Sequence, residues 1–142
     1  MSWRALWRTI TKTFFHSSTV RMPEQVLDTD DLLRRVIFTS PSYVRDDLSV
    51  TSFAFKPRRI NGVQERGLSV DISRLTTFEA SILDRSKFRL YSLKVSHVRQ
   101  IGLDCEHSPV HGNNAHALIV GDLSTVASKK LSQKASRVPY PD

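Results

Sequence analysis

Alternation of apolar and polar positions marks most of the chain's strands. "DLLRRVIF", from Asp31, reads as a first strand leading into the Ser/Pro-rich loop "TSPSYVRDD". "LSVTSFAF" puts Leu48, Val50, Ser52 and Ala54 on one face and Ser49, Thr51, Phe53 and Phe55 on the other, which predicts a central strand apolar on both faces. "LSVDIS" turns Leu68, Val70 and Ile72 inward, "KFRLYSLKV" predicts a further strand, and "LDCE" a short extended piece. "AHALIVGD" is the most apolar strand, fed by the polar turn "HSPVHGNN".

Helical period takes over in between. Thr76 and Glu79 have the spacing of a capping box and predict a short helix through Leu83. "SHVRQIG" predicts a helical turn that stops at Gly102. Ser124 is placed to cap a last helix in which Ala127, Leu131 and Ala135 form one stripe, with Lys129, Lys130, Lys134 and Arg137 outside, before Pro139 and Pro141 end it. Strands and helices alternate irregularly, so the expected class is α+β: one small domain with a mixed or antiparallel sheet, a few short helices and a C-terminal basic helix. The domain is expected over 25–138, with 139–142 as a tail.

Residues 1–23 form a separate pattern. Trp3, Leu6, Trp7, Ile10 and Phe14 make an apolar stripe at helical spacing, opposite Arg4, Arg8 and Lys12. This basic amphipathic segment suits a mitochondrial presequence, a helix lying on a membrane or partner, or an extension of the domain. Location is therefore cytoplasmic, or mitochondrial if the segment is a targeting signal.

Charge changes this picture in one respect. The net charge of +7 and a pI near 10.0 point to a polyanionic partner, but four of the seven charges sit in residues 1–23, leaving +3 for the rest. Within the domain the basic residues gather on "KPRRINGVQERG", where Lys56, Arg58, Arg59 and Arg66 flank an Asn61-Gly62 turn. Cys105 is the only cysteine, so no intrachain disulfide forms. No apolar run approaches the ~18 residues of a membrane span.

The chain has no Walker A loop, G-x-S-x-G elbow, H-E-x-x-H helix or dinucleotide-binding glycine fingerprint. Cys105, His107, His111 and His116 are zinc-type ligands, but their spacing fits no common zinc pattern, and no metal is assigned. His116 stands apart because it opens a buried strand. There it is either satisfied by a backbone or hydroxyl group, or acts as a general base or phosphate contact, a task suited to an imidazole, with Asp104 or Glu106 to orient it. Arg34 and Arg35 are adjacent, so on a strand they face opposite ways; one is expected to reach a phosphate with its planar fork, or to pair with Asp30 or Asp31.

"LLRRV", "SVTSFAF", "GLSVDIS" and "AHALIVGD", followed by a basic helix, resemble a set of short uncharacterised bacterial proteins. Those proteins carry Arg-Arg-Ile/Val, Ser-Ser-x-Ala-Phe, Met-Ser-Val and Ala-His-Ala-Leu-Val-Val-Gly in the same order. The likeness covers roughly residues 30–135; Leu68 stands where the family has Met, and residues 1–23 have no counterpart. More loosely, the chain is similar to RES and ADP-ribosyltransferase-like toxins, where an arginine on the first strand and a serine on a later one hold NAD. That resemblance implies Arg34 or Arg35 together with Ser52, and NAD as cofactor; the toxins' late-strand glutamate has no match.

Two readings follow. In the first, the domain binds or acts on a phosphate-bearing ligand, NAD or RNA, in a toxin-like pocket where His116, Arg35 and Ser52 converge as catalytic residues and Arg34, Arg58 and Arg59 bind phosphate. In the second, it is a non-catalytic binding or assembly subunit that docks on an acidic protein partner or a membrane through basic helices at its two ends. Whether the protein is an enzyme, and its oligomeric state, stay open at this point.

Overall fold

The structure, a computed structural model, describes residues 21–142, so the amphipathic stripe from Trp3 to Phe14 lies outside the described residues. The strands are β1 (Asp31–Ile37), β2 (Arg59–Ile60), β3 (Val63–Gln64), β4 (Leu68–Ile72), β5 (Phe88–Lys94), β6 (Asp104–His107), β7 (His116–Val120) and β8 (Ser136–Arg137). Three α-helices are interleaved, α1 (Phe78–Ile82), α2 (Val95–Gln100) and α3 (Thr125–Lys134), with 3-10 turns at Ser52–Phe55 and Ser73–Leu75. Six strands form one antiparallel sheet in the order β6-β7-β4-β1-β5-β8, and β2 and β3 form a separate hairpin. The domain is α+β, as its alternation predicts.

Period-two alternation sorts the sheet into two faces. Leu32 and Val36 of β1, Leu68, Val70 and Ile72 of β4, Tyr91 and Leu93 of β5 and Ala117 and Ile119 of β7 are buried in the main core. Val95 and Val98 of α2 and Ala127 and Leu131 of α3 close over that face. On the opposite face Leu33, Leu90 and Ile82 form a smaller cluster under Phe78, Phe88, Val138 and Tyr140.

Turn and cap chemistry follows the sequence with a few shifts. Asn61 and Gly62 take positive φ values of 54° and 79°, the left-handed pair that a two-residue hairpin demands. Ser124 caps α3 by accepting from Ala127 N–H at 3.1 Å. The cap of α1 is Thr77, not Thr76: Thr77 Oγ1 accepts from Ala80 N–H at 3.1 Å, and Glu79 pairs with Arg85 instead of completing a capping box. Helix α3 ends at Lys134, and Arg137 lies in β8, because Ser136 and Arg137 pair with Ser92 and Tyr91 of β5. In the expected tail, Tyr140 donates to Phe88 O at 2.6 Å and stacks edge-on against Phe78.

"LSVTSFAF" is not a central strand. Val50 makes one bridge to Val44, and Ser52–Phe55 coils into a 3-10 turn that buries the consecutive residues Ala54 and Phe55. Side chains take the carbonyls that a strand would offer to a neighbour: Arg34 Nε donates to Ala54 O at 2.9 Å and Ser128 Oγ to Phe55 O at 2.8 Å. Val50, Ala54 and Phe55 join the main core with Ala127 and Leu131 of α3, while Leu48 and Phe53 stay exposed.

The first arginines do not pair with the nearby aspartates. Asp30 accepts from Arg74 Nε at 2.7 Å and from Leu27 N–H at 2.8 Å, and Asp31 pairs with Lys94. Burial alone would raise the Asp30 carboxyl, but the bonds from Arg74 and Leu27 hold it below the usual carboxylate range. Its contribution to stability is thus complete above the unfolded-state value and lost as pH falls through the lower folded one. The stability difference between wild type and Asp30→Asn, from urea titrations across pH, should be flat above about pH 5 and shrink below about pH 4. A second test concerns Gly67 at the start of β4, where an added Cβ would lie 2.5 Å from Ile119 O. Gly67→Ala should lower unfolding free energy by about 1–3 kcal/mol, read by denaturant midpoint, by forcing β4 from β7.

Candidate functional site

The sheet has an opening beside its central strand. β1 pairs with β5 along all seven residues, whereas its ladder with β4 holds only Leu32↔Ile72 and Leu33↔Asp71. From Arg34 onward the two strands part, and the Arg34 guanidinium fills the start of the gap. Its Nε donates to Ala54 O at 2.9 Å and its Nη1 to Ser69 O at 2.8 Å, so it serves one main-chain carbonyl of the 3-10 turn and one of β4 beyond the end of the β1–β4 ladder. Nη2 makes no hydrogen bond among the described residues, and no carboxylate pairs with this guanidinium. Burial, helped by Arg58 and Arg35 and opposed by Glu65, pulls Arg34 down to about 10, which still leaves it charged at neutral pH.

Beyond Arg34 the gap widens into a cleft of about 370 Å³. Arg35, Lys56 and Arg58 bring positive charge to its wall, Tyr43, Phe53 and Phe88 bring aromatic rings, and Ser69, Asp71, Asn113 and His116 line the β4–β7 side. Arg35 faces the opposite side of β1 from Arg34, where its Nη1 donates to Ser81 O at 2.7 Å and its guanidinium lies 5.5 Å from the centre of the Phe88 ring. Both arginines still line the cleft, because it runs along the opened edge of the strand and not over one face. Phe53 is 57% exposed at the rim, with Lys56 Nζ 4.7 Å from its ring centre.

The polar wall is tightly bonded. His116 Nδ1 lies 2.8 Å from Ser108 O, an acceptor only, so the proton of the neutral ring sits on Nδ1. Nε2 is then an acceptor, 3.2 Å from Ser69 Oγ. Asp71 is buried across from His116 in the β4–β7 register and accepts from Ser81 Oγ at 2.7 Å and Asn113 Nδ2 at 2.9 Å. Asn113 in turn accepts from Ala115 N–H at 3.0 Å, which fixes the loop entering β7.

The structure brings together four of the residues expected at a site, His116, Arg34, Arg35 and Arg58. Arg58 is partly spent on Glu65, which it meets at 3.2 Å. Ser52 lies elsewhere, in a shallow depression with Arg45, Ser49, Lys129 and Ser132, since the 3-10 turn carries it away from β1. Arg59 is exposed on the hairpin and donates to its own turn at Gly62 O, 2.7 Å away. Neither Asp104 nor Glu106 orients His116: Asp104 pairs with Arg99 and Glu106 with Arg66, and the Ser108 carbonyl takes that role.

Ser69, Asp71, Asn113 and Lys56 are additions that sequence reasoning missed. The outward parity of Ser69 and Asp71, opposite Leu68, Val70 and Ile72, was the signal that could have found two of them. The other zinc-type ligands serve structure. Cys105 is buried, which pushes its thiol up to about 12, and His107 accepts from Glu24 N–H at 2.9 Å and donates to Asn114 O at 2.6 Å. Among the described residues no three His, Cys, Asp or Glu side chains are grouped to hold a metal ion.

The chain matches no protein-family model, no curated protein and no solved structure. Asn113→Ala should leave a buried Asp71 oxygen without its donor and free the loop before β7. Denaturant unfolding should show a loss of about 1–3 kcal/mol, whereas substitution of the exposed His111 should change little.

Proposed function

We propose that the cleft beside β1 binds the phosphate groups of a nucleotide, either the dinucleotide NAD or the end of an RNA chain, with Arg34 and Arg35 as the anion contacts. One observation carries this reading. Arg34, Arg35 and Lys56 line a single cleft with no carboxylate partner among the described residues, and the one acid in the lining, Asp71, already has both oxygens bonded. A guanidinium withdrawn from water beside neutral carbonyls is costly to the fold unless an anion completes it. Arginine's planar fork suits a phosphate better than an ammonium does, and Arg34 keeps Nη2 uncommitted.

The rest of the cleft supports a nucleotide over a bare anion. Phe53 at the rim, with Tyr43 and Phe88 deeper, offers ring faces on which a base stacks at about 1–3 kcal/mol each. The volume of about 370 Å³ falls within the range of small-molecule sites and holds a nucleotide unit, not a duplex. A longer strand would therefore engage by its terminus or by a flipped base.

Isothermal titration calorimetry with NAD, ADP-ribose and a short single-stranded RNA, at low and at high salt, tests the proposal. At least one should bind, more weakly as salt rises. Arg35→Ala and Lys56→Ala, which remove exposed or half-buried cations and leave the core intact, should each weaken it by roughly tenfold or more. Absence of binding by all three to the folded wild type would refute the reading.

A further inference from the structure

Phosphate binding gives no reason for the pairing of Ser69 with His116. In the antiparallel register His116 lies opposite Asp71 and Ser69 opposite Leu118, so the two are diagonal neighbours on one face of the sheet. Both side chains are half-buried and line the cleft. The Ser108 carbonyl fixes the proton on His116 Nδ1, and the Nε2 lone pair faces Ser69 Oγ at 3.2 Å. This is the arrangement of a hydroxyl, a base and an orienting acceptor that activates a serine. A backbone carbonyl stands where a carboxylate orients the base in the best-known triads. Asp71 does not reach the ring, since Ser81 and Asn113 hold its oxygens. The charged groups bordering the pair are Asp71 on β4, Glu106 on β6 with its partner Arg66, Lys56 and Arg58 in the cleft lining, and the two arginines of β1, of which Arg34 is bonded to the carbonyl of Ser69 itself.

We infer that Ser69 is a nucleophile activated by His116, and that the cleft cleaves phosphate esters through a phosphoseryl intermediate. The inference takes its substrate class from the phosphate reading above. In the first step Ser69 Oγ forms a bond to phosphorus while the ester P–O bond breaks, its electron pair leaving on the alcohol oxygen. The Ser69 proton passes to His116 Nε2 and from there to the departing oxygen. Water then attacks phosphorus and gives its proton to Nε2, the P–Oγ bond breaks, and Ser69 recovers its proton. Arg34 and Arg35 face the nonbridging oxygens, whose charge they balance in both steps.

A neutral alkyl fluorophosphonate isolates this chemistry from ligand binding. Ser69 Oγ would bond to its phosphorus, fluoride would leave, and the proton would pass to Nε2; no anionic contact is needed. Failure of nucleotide binding and failure of serine activation are therefore separate results. Intact-mass measurement of the full chain, followed by peptide mapping, should find one adduct, on Ser69. It should be absent in Ser69→Ala and slower by roughly 100-fold or more in His116→Gln, with folding checked by circular dichroism. The wild-type rate should fall as acid protonates the imidazole, and the His116→Gln rate should not. No adduct, an adduct on another serine, or equal rates in wild type and a folded His116→Gln would each overturn the inference.

Discussion

The architecture depends on the bonds from the Arg34 guanidinium to two main-chain carbonyls. An antiparallel strand pair that separates mid-sheet leaves carbonyls without donors, and an unmet buried carbonyl costs on the order of 1–3 kcal/mol. Arg34 answers both Ser69 O and Ala54 O from one rigid plane, which a flexible ammonium could not do from a single position. The opened ladder, the 3-10 turn at Ser52–Phe55 and the cleft are thus aspects of one solution. Without that fork, β1 and β4 would either pair onward and close the cleft or leave Ser69 O unsatisfied.

The same arrangement concentrates charge. Residues that satisfy the backbone also point at the opening, and the nearby carboxylates are committed elsewhere: Asp30 to Arg74, Asp31 to Lys94, Glu106 to Arg66. A modest domain surplus of positive charge becomes a local one because these acids are paired away from the cleft, and Asp71, the one acid in its lining, has both oxygens bonded. Position within the fold, more than the overall pI, gives the cleft its sign.

Much of the fold was legible in the sequence, for a physical reason. Strand β7 alternates cleanly in burial and the inward set Leu68, Val70 and Ile72 expected for β4 is buried, whereas β1 and β5 are buried in part on both faces because a second small cluster covers Leu33 and Leu90. Residues 48–55 were misread because their alternation resembles a strand, while the chain coils at Ser52–Phe55, buries the consecutive residues Ala54 and Phe55 and leaves Leu48 and Phe53 exposed. The site was half legible. The arginines and His116 stand out as charged or polar groups in apolar runs; parity puts Ser69 and Asp71 on the outward face of β4, but their partners follow only from the β4–β7 register, which depends on pairing between segments some 45 residues apart. Ser52, carried off by the 3-10 turn, shows how one misread element displaces a residue from a site.

The two edges of the sheet limit how the protein can meet others. At one edge β6 spans only Asp104–His107 and turns the exposed acids Asp104 and Glu106 outward; at the other, β8 is two residues long and runs into Pro139 and Pro141. Short strands, outward charge and proline deny a neighbouring chain the run of free amide and carbonyl groups that strand addition requires. Neither end offers a template for extending the sheet, so fibrous association through the backbone is disfavoured. Among the described residues, a partner meeting this sheet at its edges would meet side chains before backbone.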